Sequence, residues 1–463
     1  MRTQLVMLAV TTALLSTLLS GLAAAADIAS HVAAPVVTTQ GAAAQPAASS
    51  AAALSDTIQL LLPLVRRPAA PLPVKLGADF GNFITDTAVI SEDFPLAFQA
   101  GATWTRIELP WLKIEPTRGA YAWEPYDAVF ERLRELGIKP LVLIHSIPIW
   151  ASNPADKSCG PITDWPAFEL FLNAAIDRYG DIATVWEFIN EPDGLAPHPL
   201  GPTIGCWAPS PDKYAEQLAL FYTLIKQRQP DALVFFGGLA YDNWDLFDRT
   251  FLTNTLQSGA GAYFDGISLH FYPINPTDFP TIADKINDIR SVLGRFLLWD
   301  KQIWITETSM WGNGPSGLEA QKDYIVQEQT RAFCNGRADN LFWFSIRQEI
   351  PNPPLHRWLI NLHHQPDQGY FTYQVYAEQL AGAVCQGRVA NQLANVEAYR
   401  FENAQGKILY IVWANDGVQS ITLPGITQAQ VLDRDGGNAK IVPAVNGGIT
   451  LEVGASAQYV WID

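Results

Sequence analysis

The chain has 463 residues, 48% of them hydrophobic and only 16% charged, against a usual charged share of roughly a quarter. A chain this apolar can bury a large core, which excludes long disorder or coiled coil as its overall form. Its formal charge of −16, from 46 acids against 30 bases, excludes nucleic acid as the expected partner, because phosphate binding needs a basic footprint.

In chain order, Met1-Arg2, an apolar run from Leu5 to Leu22 and the small residues Ala23-Ala24-Ala25-Ala26 come first. They read as a secretory signal peptide over 1–26, with an uncleaved anchor as the alternative. Residues 27–73 are rich in Ala, Pro, Ser and Thr and predict an extended, disordered linker. No later stretch reaches the roughly 18 consecutive apolar residues of a membrane span. The expected location is extracellular. Four cysteines fit an oxidising compartment, and they lack the close C-x-x-C pairs of a zinc site.

From residue 75 one unit repeats: a short apolar run, a loop, then a helical pattern. The runs are Leu76–Phe80, Thr103–Leu109, Lys139–His145, Val185–Asn190, Ala232–Gly237, Gly266–Phe271, Ile303–Glu307 and Leu341–Ser345. They lack strict alternation, as parallel strands buried on both faces do. Between them, Val129, Phe130, Leu133 and Leu136 share one helical face, and Tyr214, Leu218, Phe221 and Ile225 another. Asp164-Trp165-Pro166 and Ser210-Pro211 look like helix starts. Eight such units predict an α/β fold, a (β/α)8 TIM barrel over 74–389. A doubly wound sheet would need a G-x-G-x-x-G turn after its first strand, and Gly77-Ala78-Asp79-Phe80-Gly81 is not one. Placed on this barrel, the cysteines pair best as Cys159–Cys206, between the loops after the third and fourth strands, and Cys334–Cys385, near the ends of the last two helices.

Residues 390–463 change character. Short β-rich runs (Val396–Glu402, Ile408–Trp413, Ile421–Leu423, Ala429–Leu432, Ile449–Val453, Gln458–Ile462) alternate with Asn-Gly and Asp-Gly turn clusters. They predict a small antiparallel β-sandwich with a structural role.

Reactive groups of a barrel stand at the C-terminal ends of its strands. Those ends carry Asp79, Arg106, Glu108, His145, Asn190, Glu191, His270, Tyr272, Glu307 and Trp343. Glu191 closes the fourth run and Glu307 the seventh, so they face each other across the mouth. A glycosidic bond needs such a pair, one carboxyl protonated to serve the leaving oxygen and one ionised to attack the anomeric carbon. The fifteen Trp suit ligands with apolar C–H faces, and Trp111, Trp150 and Trp311 lie just past strand ends.

Three segments carry a resemblance. Trp104-x-Arg106-Ile107-Glu108-x-x-Trp111-x-x-Ile114-Glu115-Pro116-x-x-Gly119 is similar to the second-strand region of clan A glycoside hydrolases. Val185-Trp186-Glu187-Phe188-Ile189-Asn190-Glu191-Pro192 resembles their acid/base strand, and Thr306-Glu307 their nucleophile strand. Families 39 and 5 are nearest. The resemblance implies a retaining mechanism with Glu191 as acid/base and Glu307 as nucleophile. It implies that Asn190 binds the sugar 2-hydroxyl and that Arg106 and Tyr272 orient Glu307. His145 and His270 would line the subsite, and Trp343 would form its apolar platform. No cofactor or metal is implied; His363-His364 lacks a third ligand at metal spacing. The expected partner is an oligo- or polysaccharide with β-linked, neutral sugars, acted on by a monomer. A non-catalytic carbohydrate-binding barrel and a transglycosylase are the alternatives.

Overall fold

A computed structural model describes residues 72–153, 159–195, 204–242, 246–273, 278–312, 314–351, 357–390 and 394–462. The expected signal peptide and nearly all of the expected linker lie outside them. Strands β1 (Leu76–Asp79), β2 (Trp104–Pro110), β3 (Lys139–His145), β4 (Val185–Phe188), β5 (Leu233–Leu239), β6 (Gly266–Phe271), β7 (Gln302–Thr308) and β8 (Asn340–Phe344) pair in sequence order, all parallel. β8 returns to β1 and closes the ring. Helices α1 (Phe94–Gln99), α2 (Glu124–Leu136), α3 (Trp165–Tyr179), α4 (Pro211–Arg228), α5 (Phe251–Gln257), α6 (Ile282–Arg295), α7 (Gly314–Arg331) and α8 (Gln368–Gln379) follow the strands in turn. The TIM barrel forms as predicted.

Local signals place the helix ends. The Asp164 carboxylate caps α3 by accepting from the Ala167 amide at 3.2 Å, and Thr281 with Asp284 forms a capping box on α6. Gly137, at φ 71°, stops α2 in the left-handed conformation that glycine adopts freely. Ser210 sits at the start of α4 but donates and accepts no side-chain cap, so only the first of the two expected caps is built.

The strands do alternate, with both faces apolar at the lower end. Ile107, Leu109, Val142, Ile144, Trp186 and Phe188 point outward into the core shared with the helices. Trp104, Leu141, Val185, Phe235, Trp304 and Phe342 point inward and fill the lumen at its N-terminal end. Each such side chain contributes ~1.5–3 kcal/mol by leaving water. With that end filled, chemistry is left to the C-terminal mouth.

Beyond the barrel lies a six-stranded antiparallel sheet in the order β14-β13-β16-β11-β10-β9, with a separate ribbon of β12 and β15. These are β9 (Val384–Arg388), β10 (Val396–Glu402), β11 (Ile408–Ala414), β12 (Gln419–Pro424), β13 (Gln428–Asp433), β14 (Lys440–Pro443), β15 (Gly448–Val453) and β16 (Gln458–Ile462). One face of the large sheet (Tyr399, Phe401, Ile411, Trp413, Tyr459) joins the barrel's own core. The other (Val396, Ala398, Val412, Val460) packs on Ile421, Leu423, Ile449 and Leu451 of the ribbon. The sandwich is as expected but its leaves are unequal. β9 starts inside the stretch assigned to the barrel, because Val-Cys-Gln-Gly-Arg carries little apolar signal of its own and is defined by pairing with β10.

Both disulfides form with the expected partners, at Cα separations of 5.3 Å for Cys159–Cys206 and 5.5 Å for Cys334–Cys385. Cys385, however, lies on β9, so the second bridge fastens the sheet to the helical turn after α7 rather than joining two helices. Arg434 reinforces that junction from the sheet side, buried against Asp323 at 2.7 Å and Glu319 at 2.6 Å on α7. Among the described residues no helix is long and apolar enough to cross a membrane.

Candidate active site

Along β2 the inward residues are Trp104, Arg106 and Glu108, so one strand crosses from the apolar plug to the mouth. Arg106 is completely buried, and its planar fork is fully used. Nε and Nη2 donate to the two oxygens of Glu187 at 3.0 and 2.9 Å, and Nη2 also reaches Asn190 Oδ1 at 2.8 Å. Nη1 donates to Glu307 Oε1 at 2.6 Å and to Asp79 Oδ2 at 3.4 Å. Burial alone would lower the Arg106 pKa, but Glu187, Glu307 and Asp79 together raise it well above its ordinary value. One permanent cation thus ties the nucleophile candidate to the strand carrying the acid candidate. Arg106 therefore acts at once as a buried structural cation for Glu187 and as a group that orients Glu307.

β4 ends at Phe188, earlier than predicted, in a turn that breaks ordinary backbone rules. Ile189 has φ 67° and Glu191 φ 42°, the left-handed region that a β-branched residue occupies only at a cost of ~1–3 kcal/mol. Hydrogen bonds fix the turn from several sides: Ile189 N donates to Ile144 O at 2.9 Å, Glu191 N to Gly238 O at 2.8 Å, and Gly205 N to Asn190 O at 2.7 Å. Gly237 and Gly238 of β5 leave the space. A Cβ on Gly237 would strike the carbonyls of Phe188 and Ile189, and one on Gly238 would strike the ring of His270. This adjacent glycine pair inside a strand is the sequence signal that the motif reading passed over.

β7 carries a bulge: Leu269 of β6 pairs with Ile305, but His270 pairs with Glu307. The extra residue reverses the in/out phase, so that Trp304 and Glu307 both face inward although three positions apart. His270 Nδ1 lies 2.9 Å from Glu191 Oε1 and 3.5 Å from Glu307 Oε2. Tyr272 donates its hydroxyl to Glu307 Oε2 at 2.7 Å. The oxygen and nitrogen atoms that Glu191, His270 and Glu307 present lie within 4.8 Å of one another.

Electrostatics separates the groups. Burial raises the Glu191 pKa to about 8, against the lowering influence of Arg106, so this carboxyl is protonated at neutral pH. Burial lowers His270 to about 4 and, with Arg106 and Lys113 adding to it, His145 to about 3; both rings are neutral. Burial, with Glu307 adding to it, raises Tyr272 well above its ordinary value, so its hydroxyl stays a donor.

The structure therefore brings Glu191, Glu307, Asn190, Arg106, His270 and Tyr272 into one network. His145 stands apart from it, 3.5 Å from Glu108. Trp343 is not in the site. It is fully buried in the core between barrel and helices, its ring edge-on to Tyr324 of α7 at 6.1 Å and its indole N–H on Arg357 O at 3.0 Å. Alternation on β8 explains this, since Phe342 is in the inner plug and its neighbour must point out. The aromatic that faces the mouth is Phe344, 6.4 Å from Tyr272 and 4.9 Å beneath the Arg357 guanidinium. Trp311, 37% exposed, completes this rim 6.0 Å from Tyr272. Trp111 and Trp150 pack edge-on at 5.4 Å, and Trp111 Nε1 donates to Glu115, which also takes the Gly119 amide. The second-strand signature is thus partly a loop-building device.

Glu191, His270 and Glu307 are close enough to hold a cation, but Arg106 already places a positive charge on Glu307. Of the histidine pair, His364 bonds Asp93 at 2.9 Å.

No protein-family model matches the sequence, and no curated protein aligns with it. Solved structures of glycoside hydrolases do share its fold. A family 39 glycoside hydrolase from Bacteroides cellulosilyticus WH2 superposes with a TM-score of 0.65 at 20% identity, over 85% of this chain and 81% of that one. A family 30 endoxylanase from Clostridium papyrosolvens C71 does so at 0.60 and 13% identity, over 86% and 98%. A monomeric β-xylosidase from Caulobacter crescentus CB15 gives 0.58 at 14% identity, over 86% and 98%.

Proposed function

We propose that this chain is a secreted retaining glycoside hydrolase that cleaves β-linked sugars by double displacement. The observation that carries the reading is the spacing of two carboxyls of opposite character. Oxygens of Glu191 and Glu307 lie within 4.8 Å, in keeping with the ~5–5.5 Å of retaining pairs and short of the ~6.5–9.5 Å that leaves room for an inverting water.

Glu191, protonated at rest, gives its proton to the leaving oxygen while Glu307 attacks the anomeric carbon from the other side. Arg106 and Tyr272 occupy the Glu307 oxygens and aim them. Once Glu307 is esterified its charge is gone, and Arg106 is left less neutralised. Both changes lower the Glu191 pKa and let the same carboxylate activate water. Asn190, oriented by Arg106, is placed for the 2-hydroxyl, where a hydrogen bond strengthens in the transition state.

The endoxylanase and β-xylosidase among the similar structures make β-xylosides the first substrates to try. Proton NMR of the first-formed product anomer tests the mechanism: retention is expected, and inversion overturns it. Glu307→Gln is expected to lower kcat at least ~10³-fold, because it removes the attacking group.

A further inference from the structure

The turn that carries Glu191 is strained, with Ile189 at φ 67° and Glu191 at φ 42°, and such a conformation lasts only where its surroundings over-determine it. One flank of the turn is β5. The other is residues 204–207, from later in the same loop. Gly205 N donates to Asn190 O at 2.7 Å and Trp207 N to Pro192 O at 3.1 Å, so the two neighbours of Cys206 grip the carbonyls on either side of Glu191. The fit is close. A Cβ on Gly205 would stand 2.9 Å from Asn190 O, Ile189 Cγ2 and Pro192 Cα, inside van der Waals contact with all three.

Cys206 is where this segment is held from outside. Its disulfide to Cys159, and its amide donating to Cys159 O at 3.1 Å, join it to the loop after β3. That loop is itself seated on α4. The buried side chain of Gln217 accepts from Ile162 N at 3.1 Å and donates to Ile162 O at 2.9 Å. A path of covalent and hydrogen bonds therefore runs from α4, through Ile162 and the bridge, to the backbone on both sides of Glu191. We propose that the Cys159–Cys206 disulfide is a positioning element for the proton donor, holding Glu191 where the leaving oxygen departs. This rests on the glycosidase reading. The bridge touches no reacting atom and acts through Gly205, Trp207 and the turn. Cys334–Cys385 supplies the comparison. The sequence separations are 47 and 51 residues, so loop entropy gives the two bridges nearly equal effects on the unfolded chain, while only the first adjoins the turn.

The test compares wild type, Cys159→Ser with Cys206→Ser, Cys334→Ser with Cys385→Ser, and Gly205→Ala. The substrates are the 2,4-dinitrophenyl and phenyl β-D-xylopyranosides and β-D-glucopyranosides. Dinitrophenolate leaves without a proton and phenolate needs one, so a misplaced donor shows as a loss confined to the phenyl glycoside. Removing the first bridge is expected to lower kcat/KM at least ~10²-fold on the phenyl glycoside and under ~3-fold on the dinitrophenyl one. The alkaline limb of its pH profile should also move to lower pH, since a loosened donor gains water and loses the burial that raises its pKa. Removing the second bridge should change the ratio of the two substrates less than ~2-fold. Equal losses on both substrates, or the same change of ratio from the second bridge, would overturn the proposal. If the first double variant does not fold, the same ratio is read from Gly205→Ala, which keeps the bridge and pushes its segment off the turn. If wild type cleaves none of these glycosides, the hydrolase reading fails, and hydrogen exchange in the same variants decides the clamp separately. Amides of Glu191 and Gly205 that exchange at least ~10-fold faster without the first bridge, and unchanged without the second, support it; no change without the first overturns it.

Discussion

Glu191 and Glu307 meet through one imidazole edge, His270 Nδ1, 2.9 Å from the first and 3.5 Å from the second. The ring is neutral because burial lowers its pKa to about 4, so it spaces the two carboxyls without supplying a charge that would ionise Glu191. The positive charge of the site comes from below, from Arg106, and it goes to Glu307 directly.

The pH dependence of turnover follows. With Glu191 raised to about 8 by burial, kcat/KM on substrates with poor leaving groups should fall as pH rises through about 8. In Glu191→Ala that limb should vanish, aryl glycosides with good leaving groups should still form the glycosyl-enzyme, and azide should restore turnover. A pH–rate series for both proteins checks this.

Stability should have its own pH trend. Burial raises Glu191 to about 8, and Glu108 and Asp193 each to about 7. Unfolded, these groups titrate near their ordinary values, so between about pH 4 and 8 the folded state binds more protons and unfolding free energy falls as pH rises. Their contribution is complete below about pH 4 and lost through pH 7–8. Denaturant unfolding at stepped pH should show the decline, and Glu191→Gln should flatten its upper part.

Arg106→Ala should lose activity and also destabilise the fold by ~3–5 kcal/mol, because it strands Glu187 and Asp79 in the barrel without their cation. Arg106→Lys keeps the charge but not the fork, and should recover stability more than kcat. Equilibrium unfolding beside steady-state kinetics separates the two effects.

The two aromatics at the end of β8 should part company. Phe344→Ala should raise KM with little loss of stability, whereas Trp343→Ala should cost ~3–5 kcal/mol of stability from a core cavity. Thermal unfolding and KM measured on both variants decide which ring faces the sugar.

Replacing Cys334 and Cys385 together by Ser should lower stability by ~4 kcal/mol on the loop-entropy relation for a separation of 51 residues. The bridge lies at the junction with the sheet, so kcat should stay within ~2-fold. A paired unfolding and activity assay checks it.

Much of this protein is written in local pattern. Apolar runs spaced by amphipathic helices dictate a closed barrel, since eight strands with two apolar faces have few other ways to bury both. The strand-end rule then points at Arg106, Asn190, Glu191, His270, Tyr272 and Glu307 without any coordinates. What pairing alone decides lay beyond reach. The bulge in β7 turns Glu307 inward, and a one-residue change of phase is invisible in a sequence that is apolar on both sides. Phase on β8 likewise exchanges Trp343 for Phe344. The polar strand β9 exists only because β10 is there to bond it, and the left-handed turn at Ile189–Glu191 survives only because Gly237 on the next strand makes room for it. Sequence fixes which groups can react; the register between strands fixes where they point, because hydrogen bonding between neighbours, not propensity, sets the phase of each side chain.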